Sequence, residues 1–449
     1  VILGVAGAYS ITRIPEGPRV SMESVKDSST RQAIDLLQDK GCLSCHSPKA
    51  KVPFYGNLPG IGAEIKKDMA DGLRSIDLQA AFEAAAEGKA FPEVALAKIE
   101  DVVAAGTMPP AKFSMIHQSS KINDTEKKTL LDWVAATRLA NYTTYGKDRK
   151  WATEPIQPIV EQVAFNKEKA KLGLALYHDT RLSGDGTLSC ASCHNLASGV
   201  DNQKVSSGIN GQKGGINAPT VLNARFNFCQ FWDGRAKDLQ EQAGGPPLNP
   251  IEMGSKSWDE IVSKLNTDTA LKEKFTKIYP AGFSGETITD AIAEFEQALV
   301  TPNSPFDLYL KGDESAVSND VKEGYRLFKE NKCATCHVGQ AMGGQSFEYM
   351  GLKADYFADR GGAMTDADKG RYNVTKDPKD MHKFKTPLLR NIALTAPYFH
   401  DGSATTLKDA VKAMLKYQVG KTLSDAEVEK IVSFLEAQTG KPNYEKLIR

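Results

Sequence analysis

Three Cys-x-x-Cys-His units punctuate the chain: Cys42, Cys45 and His46 in "GCLSCHS", Cys190, Cys193 and His194 in "LSCASCHN", and Cys333, Cys336 and His337 in "KCATCHVG". No other feature constrains the fold as strongly. In this pattern both thiols add to haem vinyl groups as thioethers, and the adjoining histidine reaches the iron. Zinc would need the cysteine pairs to combine in fours, or with a second histidine pair. The pairs instead lie far apart, with histidines at 46, 194 and 337. A redox dithiol would not need the histidine each time. The units therefore read as sites for three covalently bound haem c groups, and their near-equal spacing predicts three haem domains.

Six of the seven cysteines fall in these units, leaving Cys229, which reads as a small buried hydrophobe. A disulfide framework is not expected. Covalent haem is attached outside the bacterial cytoplasm, so the expected location is the periplasmic side of the cytoplasmic membrane. The 449 residues balance 56 basic against 56 acidic side chains, and no nucleic-acid-binding motif appears, so no nucleic acid partner is expected. The first residues, "VILGVAGAYSITRIP", begin in mid-run without a methionine. The apolar stretch is short of the roughly 20 residues that span a bilayer. Residues 1–20 read as the remnant of a signal or membrane anchor, against the competing tail of a cleaved signal.

The remaining pattern is mostly helical, and strand-like alternation is scarce. A helical segment runs into each motif: "TRQAIDLLQDKGC", "AKLGLALYHDTRLSGDGTLSC" and "VKEGYRLFKENKC". Gly173 to Tyr177 and Gly324 to Phe328 share a Gly-x-x-Leu-aromatic pattern, which suggests duplication of the last two domains. Asn123 with Glu126, and Ser424 with Glu427, fit capping boxes ahead of apolar helices. "WATEPIQPIVEQ" at 151–162 and "TPNSPFDLYLKGDE" at 301–314 read as linkers, and the glycine-rich 206–217 as a loop. The expected class is mainly α, with haem domains at 21–150, 151–310 and 311–449, and C-terminal segments packing at the interface of the last two.

The sixth iron ligand separates electron transfer from catalysis. For the first haem, Met108 in the Pro-rich "GTMPPAKF" is the expected thioether ligand, with Met69, Met115 and His117 as competitors. For the third, Met414 shares a helical face with Val411 and Leu415, and periodicity alone leaves it either ligand or core. The second has no obvious Met or His partner. The segment after it, "NFCQFWDGRAKDLQEQAGGPPLNPIEMGSK", carries Trp232, Arg235, Gln242 and Glu252. A carboxylate beside an open iron can move a proton between peroxide oxygens, although composition alone would make Glu252 a solvated surface residue.

Several segments in order, "LSCASCHN", "NAPTVLNARFNFCQFWDGRA", "EQAGGP", "NKCATCHVG" and "KTPLLRNIALTAPYFHDGS", resemble the bacterial di-haem cytochrome c peroxidases. The resemblance runs from about residue 160 to the C-terminus. The added N-terminal unit resembles that of the three-haem, membrane-associated quinol peroxidases. The resemblance implies roles. Cys190, Cys193 and His194 would hold the peroxidatic haem, with Glu252 as acid–base catalyst and Gln242 orienting peroxide. Trp232 would bridge the two haems. Cys333, Cys336 and His337 would hold the electron-transfer haem, with Met414 as its distal ligand. One calcium ion would sit on the Asn217 side chain and the carbonyls of Thr395 and Pro397. Many relatives carry an iron-blocking histidine in the glycine-rich loop. Here that position is Ile209, so the second iron is expected open or water-bound without prior reduction. Met414 stands where methylamine-maturation enzymes use a tyrosine, which argues against that activity. Arg235 and Arg390 are candidates to pair haem propionates. His400 is expected to hydrogen-bond near the third haem, and His382 to lie on the surface.

The expected activity is reduction of hydrogen peroxide to water with electrons from membrane quinol, relayed from the first haem to the third and then to the second. The alternatives are a peroxidase fed by a soluble cytochrome c or cupredoxin, and a multihaem electron-transfer cytochrome with no substrate.

Overall fold

The computed structural model describes residues 12–449, so the apolar run at the start of the anchor reading lies outside the described residues. No helix among them is long and apolar enough to cross a membrane. The chain divides into two compact units, one of residues 1–148 with 152–155, the other of 149–151 with 156–449.

The first unit contains α1 (Ser28–Asp39), α2 (Gly62–Ser75), α3 (Leu78–Ala86), α4 (Glu93–Ala105), α5 (Ala111–Ile116) and α6 (Asp124–Asn141). Asp27 caps α1 by accepting from the Thr30 N–H, and Ala33, Ile34 and Leu37 bury one face at helical spacing. Gly41, at φ +80°, turns the chain from α1 into the first motif, a conformation that favours glycine. Leu43 of that motif joins a core with Phe82, Leu96 and Trp133. The Asn123–Glu126 capping box forms as expected at the start of α6. Later in α6, Arg138 is buried against Glu93 at 2.7 Å and Glu100 at 2.9 Å.

The second unit is built on two helix pairs of the same design. Its helices are α7 (Lys167–Tyr177), α8 (Cys190–Cys193), α9 (Leu239–Ala243), α10 (Trp258–Leu265), α11 (Thr269–Ile278), α12 (Gly285–Gln297), α13 (Pro305–Leu310), α14 (Asn319–Glu330), α15 (Tyr356–Arg360), α16 (Tyr372–Thr375), α17 (Leu407–Met414), α18 (Asp425–Glu436) and α19 (Tyr444–Ile448). In the first pair, α7 crosses α12 so closely that a Cβ on Gly173 would overlap the Ala291 carbonyl. In the second, α14 crosses α18 so that a Cβ on Gly324 would overlap the Lys430 carbonyl. The partner aromatics correspond as well, with Phe295 beside Gly173 and Phe434 beside Gly324. The repeated Gly-x-x-Leu-aromatic pattern is thus a repeated helix crossing. Each crossing feeds the motif that follows it.

The reading of 301–314 as a linker is corrected. Ser304 caps α13, Pro305 takes its first turn and Asp307 closes the capping box. Phe306 and Asp307 are fully buried. The turn-like composition belongs to a helix start, not a connector. Asp307 pairs with buried Arg390 at 2.8 Å, and Arg390 also donates to the Gln157 and Gln340 carbonyls and to Gln438. Arg390 is therefore committed to this protein network rather than to a propionate. The only sheet among the described residues is the two-stranded pair β1 (Phe347–Tyr349) and β2 (Lys383–Lys385), antiparallel with Phe347 opposite Lys385.

Candidate haem and peroxide site

Each motif lies at the end of a helix and turns its histidine inward. In the first, the His46 Nδ1–H donates to the Gly72 carbonyl at 2.9 Å, which leaves Nε2 for a metal. Gly72 sits against Cys45, with no room for a larger residue without displacement. In the third, the His337 Nδ1–H donates to the Met342 carbonyl at 2.9 Å. In the second, the His194 Nδ1 is buried and faces the Gly199 and Pro219 carbonyls without a hydrogen bond of ordinary geometry. The His194 carbonyl is held by the Tyr177 hydroxyl at 2.5 Å. None of the six motif cysteines is in a disulfide, so both thiols of each motif are left for haem attachment. Cys42, Cys190 and Cys333 are deeply buried, which raises the proton affinity of each thiol before attachment. Oriented histidines beside paired thiols are the donor set that covalent haem needs.

A buried lysine stands beside Cys229. Lys385 is only 5 % exposed, and among the described residues no carboxylate pairs with its ammonium. Burial pushes that group down to about 8. A buried cation of this kind suits a haem propionate. Sequence reasoning named Arg235 and Arg390 for the propionates and did not single out Lys385. Arg235 lies over the Phe231 ring at 3.5 Å and pairs with Asp233. A second buried group missed by the sequence is Glu296 on α12, pushed up to about 8 by burial.

Of the expected peroxide residues, Glu252 lies beside the second motif, close enough to Cys193 to act on its thiol electrostatically. Ala243 on α9 and Met253 are buried in one core with Tyr177 and Leu182, against which Cys190 and Ala191 pack. Glu252 directly precedes the buried Met253, and Gln242 precedes Ala243 on α9. The backbone just past Gln242 meets Phe231, since a Cβ on Gly245 would stand 3.6 Å from that ring. Burial pushes the Glu252 carboxyl above its ordinary value, and the Arg235 charge partly offsets the rise. Glu252 is not the solvated residue that composition suggests.

Trp232 lies between segments. Its indole N–H donates to the Asn217 carbonyl at 2.9 Å, and its own carbonyl accepts from the Lys385 N–H at 2.8 Å. Asn217 in turn donates its N–H to the His400 carbonyl at 2.7 Å. Its side-chain N–H bonds the Gln203 carbonyl at 2.9 Å, leaving Oδ1 for a hard cation. Asn202 ties the Leu394 and Ala396 carbonyls at 2.8 and 2.9 Å, which holds the chain that carries Thr395 and Pro397 near this loop. His400 stacks on Phe384 and bonds Asp368 at 2.8 Å. Burial alone would raise the Asp368 carboxyl, but Arg360 and His400 hold it far below the usual range. His382, expected on the surface, is half-buried and bonds the Asp368 carbonyl at 2.8 Å.

The two expected methionines differ in setting. Met414 ends α17 and is half-buried, and a π-helical turn, Leu415–Val419, follows at once. Its neighbours Val411 and Leu415 share a core with Ala334 and Met342 of the third motif's loop. Met108 lies between α4 and α5 and is 36 % exposed.

The family model described as di-haem cytochrome c peroxidase matches residues 167–315, one for a haem-binding domain matches 2–136, and one for cytochrome c matches 321–439. Cytochrome c peroxidase Ccp of Escherichia coli (strain K12) is 48% identical over 439 residues, covering 98% of this chain and 94% of that protein. The chain belongs to the di-haem cytochrome c peroxidase family. Cytochrome c551 peroxidase of Nitrosomonas europaea is 48% identical over 292 residues, 64% of this chain and 85% of that one. Among solved structures, a MauG-like protein associated with microbial copper homeostasis is 29% identical, covers 68% of this chain and 97% of its own, and superposes with a TM-score of 0.56. The chain is thus a haem peroxidase that binds haem c, and peroxide reduction is its chemistry. The extra helical unit at its N-terminus is matched as haem-binding.

Proposed function

We propose that this peroxidase reduces hydrogen peroxide to water with two electrons from a membrane quinol, on the periplasmic side of the bacterial cytoplasmic membrane. Three haem c groups are held by the three motifs, with Met108 and Met414 as second ligands of the first and third. Bound haem supplies the redox-active iron. Electrons enter at the N-terminal unit, pass to the His337/Met414 site, then to the His194 site with Trp232 between the two.

The observation that carries the catalytic reading is the placement of Glu252, half-buried with a raised proton affinity beside the second motif. The balance is H2O2 + 2 e⁻ + 2 H⁺ → 2 H2O. The Glu252 carboxylate takes the proton from one peroxide oxygen and returns it to the other, so that water leaves rather than hydroxide. The Gln242 carboxamide orients the peroxide. Lys385 meets a propionate. Calcium on Asn217, Thr395 and Pro397 stiffens the strap that holds the Trp232 indole.

The quinol reading is supported by the N-terminal unit. That unit is matched as a haem-binding domain added to the di-haem peroxidase part, as in a chain that takes electrons from a separate, membrane-borne donor. A soluble cytochrome c donor is the second reading, in keeping with the Nitrosomonas relative being a cytochrome c551 peroxidase. Peroxide turnover measured with a short-chain quinol against a reduced cytochrome c decides between them. Quinol-driven turnover at the higher kcat/KM is expected, and turnover with cytochrome c alone would overturn the quinol assignment.

A further inference from the structure

The glycine-rich hairpin does more than lack a blocking histidine. Residues 206–214 close on themselves, with the Gly208 N–H bonded to the Gln212 carbonyl at 2.8 Å and the Gly214 N–H to Ser206 at 3.0 Å. Asn210 and Gly211, at φ +56° and +71°, make the tip. That tip docks on the turn carrying Glu252 at four points. The Ile209 N–H donates to the Glu252 carbonyl at 2.8 Å. Gly208 lies flat against the Ile251–Glu252 peptide, and a Cβ there would overlap the Ile251 carbonyl. The Gln212 side chain donates to the Pro250 carbonyl at 2.9 Å. The Ile209 side chain fills the space over Gly254, where a Cβ would overlap it.

The far side of the same turn is bolted to the segment that leads into the second motif. The Gly184 N–H donates to Met253 at 2.7 Å, the Ser255 hydroxyl to Leu182 at 2.9 Å, and a Cβ on Gly184 would overlap the Gly254 carbonyl. The Glu252 turn is therefore clamped between the haem-bearing segment and the hairpin tip. We propose that Gly208 and Ile209 are positioning residues for the peroxide reaction, holding the Glu252 carboxylate at its working place through the backbone of its turn. The hairpin tip and the Glu252 turn are thus packed as one piece, and the hairpin acts as a scaffold for the carboxylate. The proposal rests on the reading of Glu252 as the proton carrier.

The test uses the haem-loaded protein and single-turnover as well as steady-state kinetics. Ile209→Ala removes the side-chain seat without adding bulk, and Gly208→Ala forces the two backbones apart. Each is expected to lower kcat for peroxide by about tenfold or more, because sub-ångström displacement of a reacting group is enough for that. The KM for the electron donor and the haem absorption spectrum are expected to stay at parent values. Ile209→Val, which keeps a branched seat, is expected to restore most of the loss. In a Glu252→Gln background the hairpin substitutions should add nothing, since both act through one carboxylate. Full turnover in Glu252→Gln alone would overturn the catalytic reading and the proposal with it. A silent Glu252→Gln is distinguishable from failure of the proposal alone, which would show as lost turnover in Glu252→Gln with parent-like Ile209→Ala, or as additive losses in the double variants. If Gly208→Ala does not fold, Ile209→Ala and its valine rescue decide the matter.

Discussion

At the residue scale, the proposed proton transfer rests on Glu252, with the Arg235 charge acting on it. Glu252 must begin the cycle ionised, so turnover falls as pH drops through its pKa. Burial raises that pKa above the exposed value of about 4.3, so the acid limb of kcat/KM should lie above the usual glutamate range. Arg235 favours the ionised form, so Arg235→Gln should move the limb to still higher pH, whereas a limb that stays put would show that Arg235 does not act on Glu252. Glu252→Gln should lower turnover by about 10² to 10⁴ with haem binding intact, read from peroxide consumption. The haem-attaching residues were legible as residue types, because thioether chemistry needs that spacing. Glu252, Gln242 and Trp232 gained their proposed roles only through resemblance, since nothing in their spacing reports burial. Lys385 was not legible at all. A lysine in "KFKTP" looks like surface, and only the folded sheet, with Lys385 opposite Phe347, shows the cation enclosed.

At the element scale, the two close helix crossings and the buried Asp307–Arg390 pair hold the second unit together. Gly173→Ala or Gly324→Ala places a methyl on a neighbouring carbonyl, and each should cost about 1–3 kcal/mol or more as a fall in Tm, because the crossing helices must separate. An unchanged Tm would mean the crossings are looser than drawn. Arg390→Met leaves the Asp307 carboxylate buried without its partner, and should cost about 3–5 kcal/mol in denaturant unfolding. The helices entering each motif and both capping boxes were readable from apolar spacing and from Asn123 and Ser424. The helix Pro305–Leu310 was hidden because a Ser-Pro start reads equally as a turn, and only its buried partner Arg390 decides between them. The docking of 206–214 on the Glu252 turn was hidden for a different reason. Glycine content announces a loop, but which backbone it approaches is a long-range fact.

At the scale of the whole molecule, the proposal gives one motif three unlike duties, distinguished by what would face each iron. Met414 is flanked by Val411 and Leu415 in the core of the third motif, while Ile209 stands in the hairpin beside the second, where it offers no ligand atom. The central claim is that the oxidised protein already has an open peroxidatic iron. The most direct measurement is electron paramagnetic resonance of the fully oxidised, haem-loaded protein, with electronic spectra through the charge-transfer bands. The account predicts one high-spin or water-bound ferric centre beside low-spin His/Met centres, with peroxide turnover beginning without a reductive lag. An oxidised sample with every haem low-spin, including a bis-histidine signal at the second motif, would contradict it.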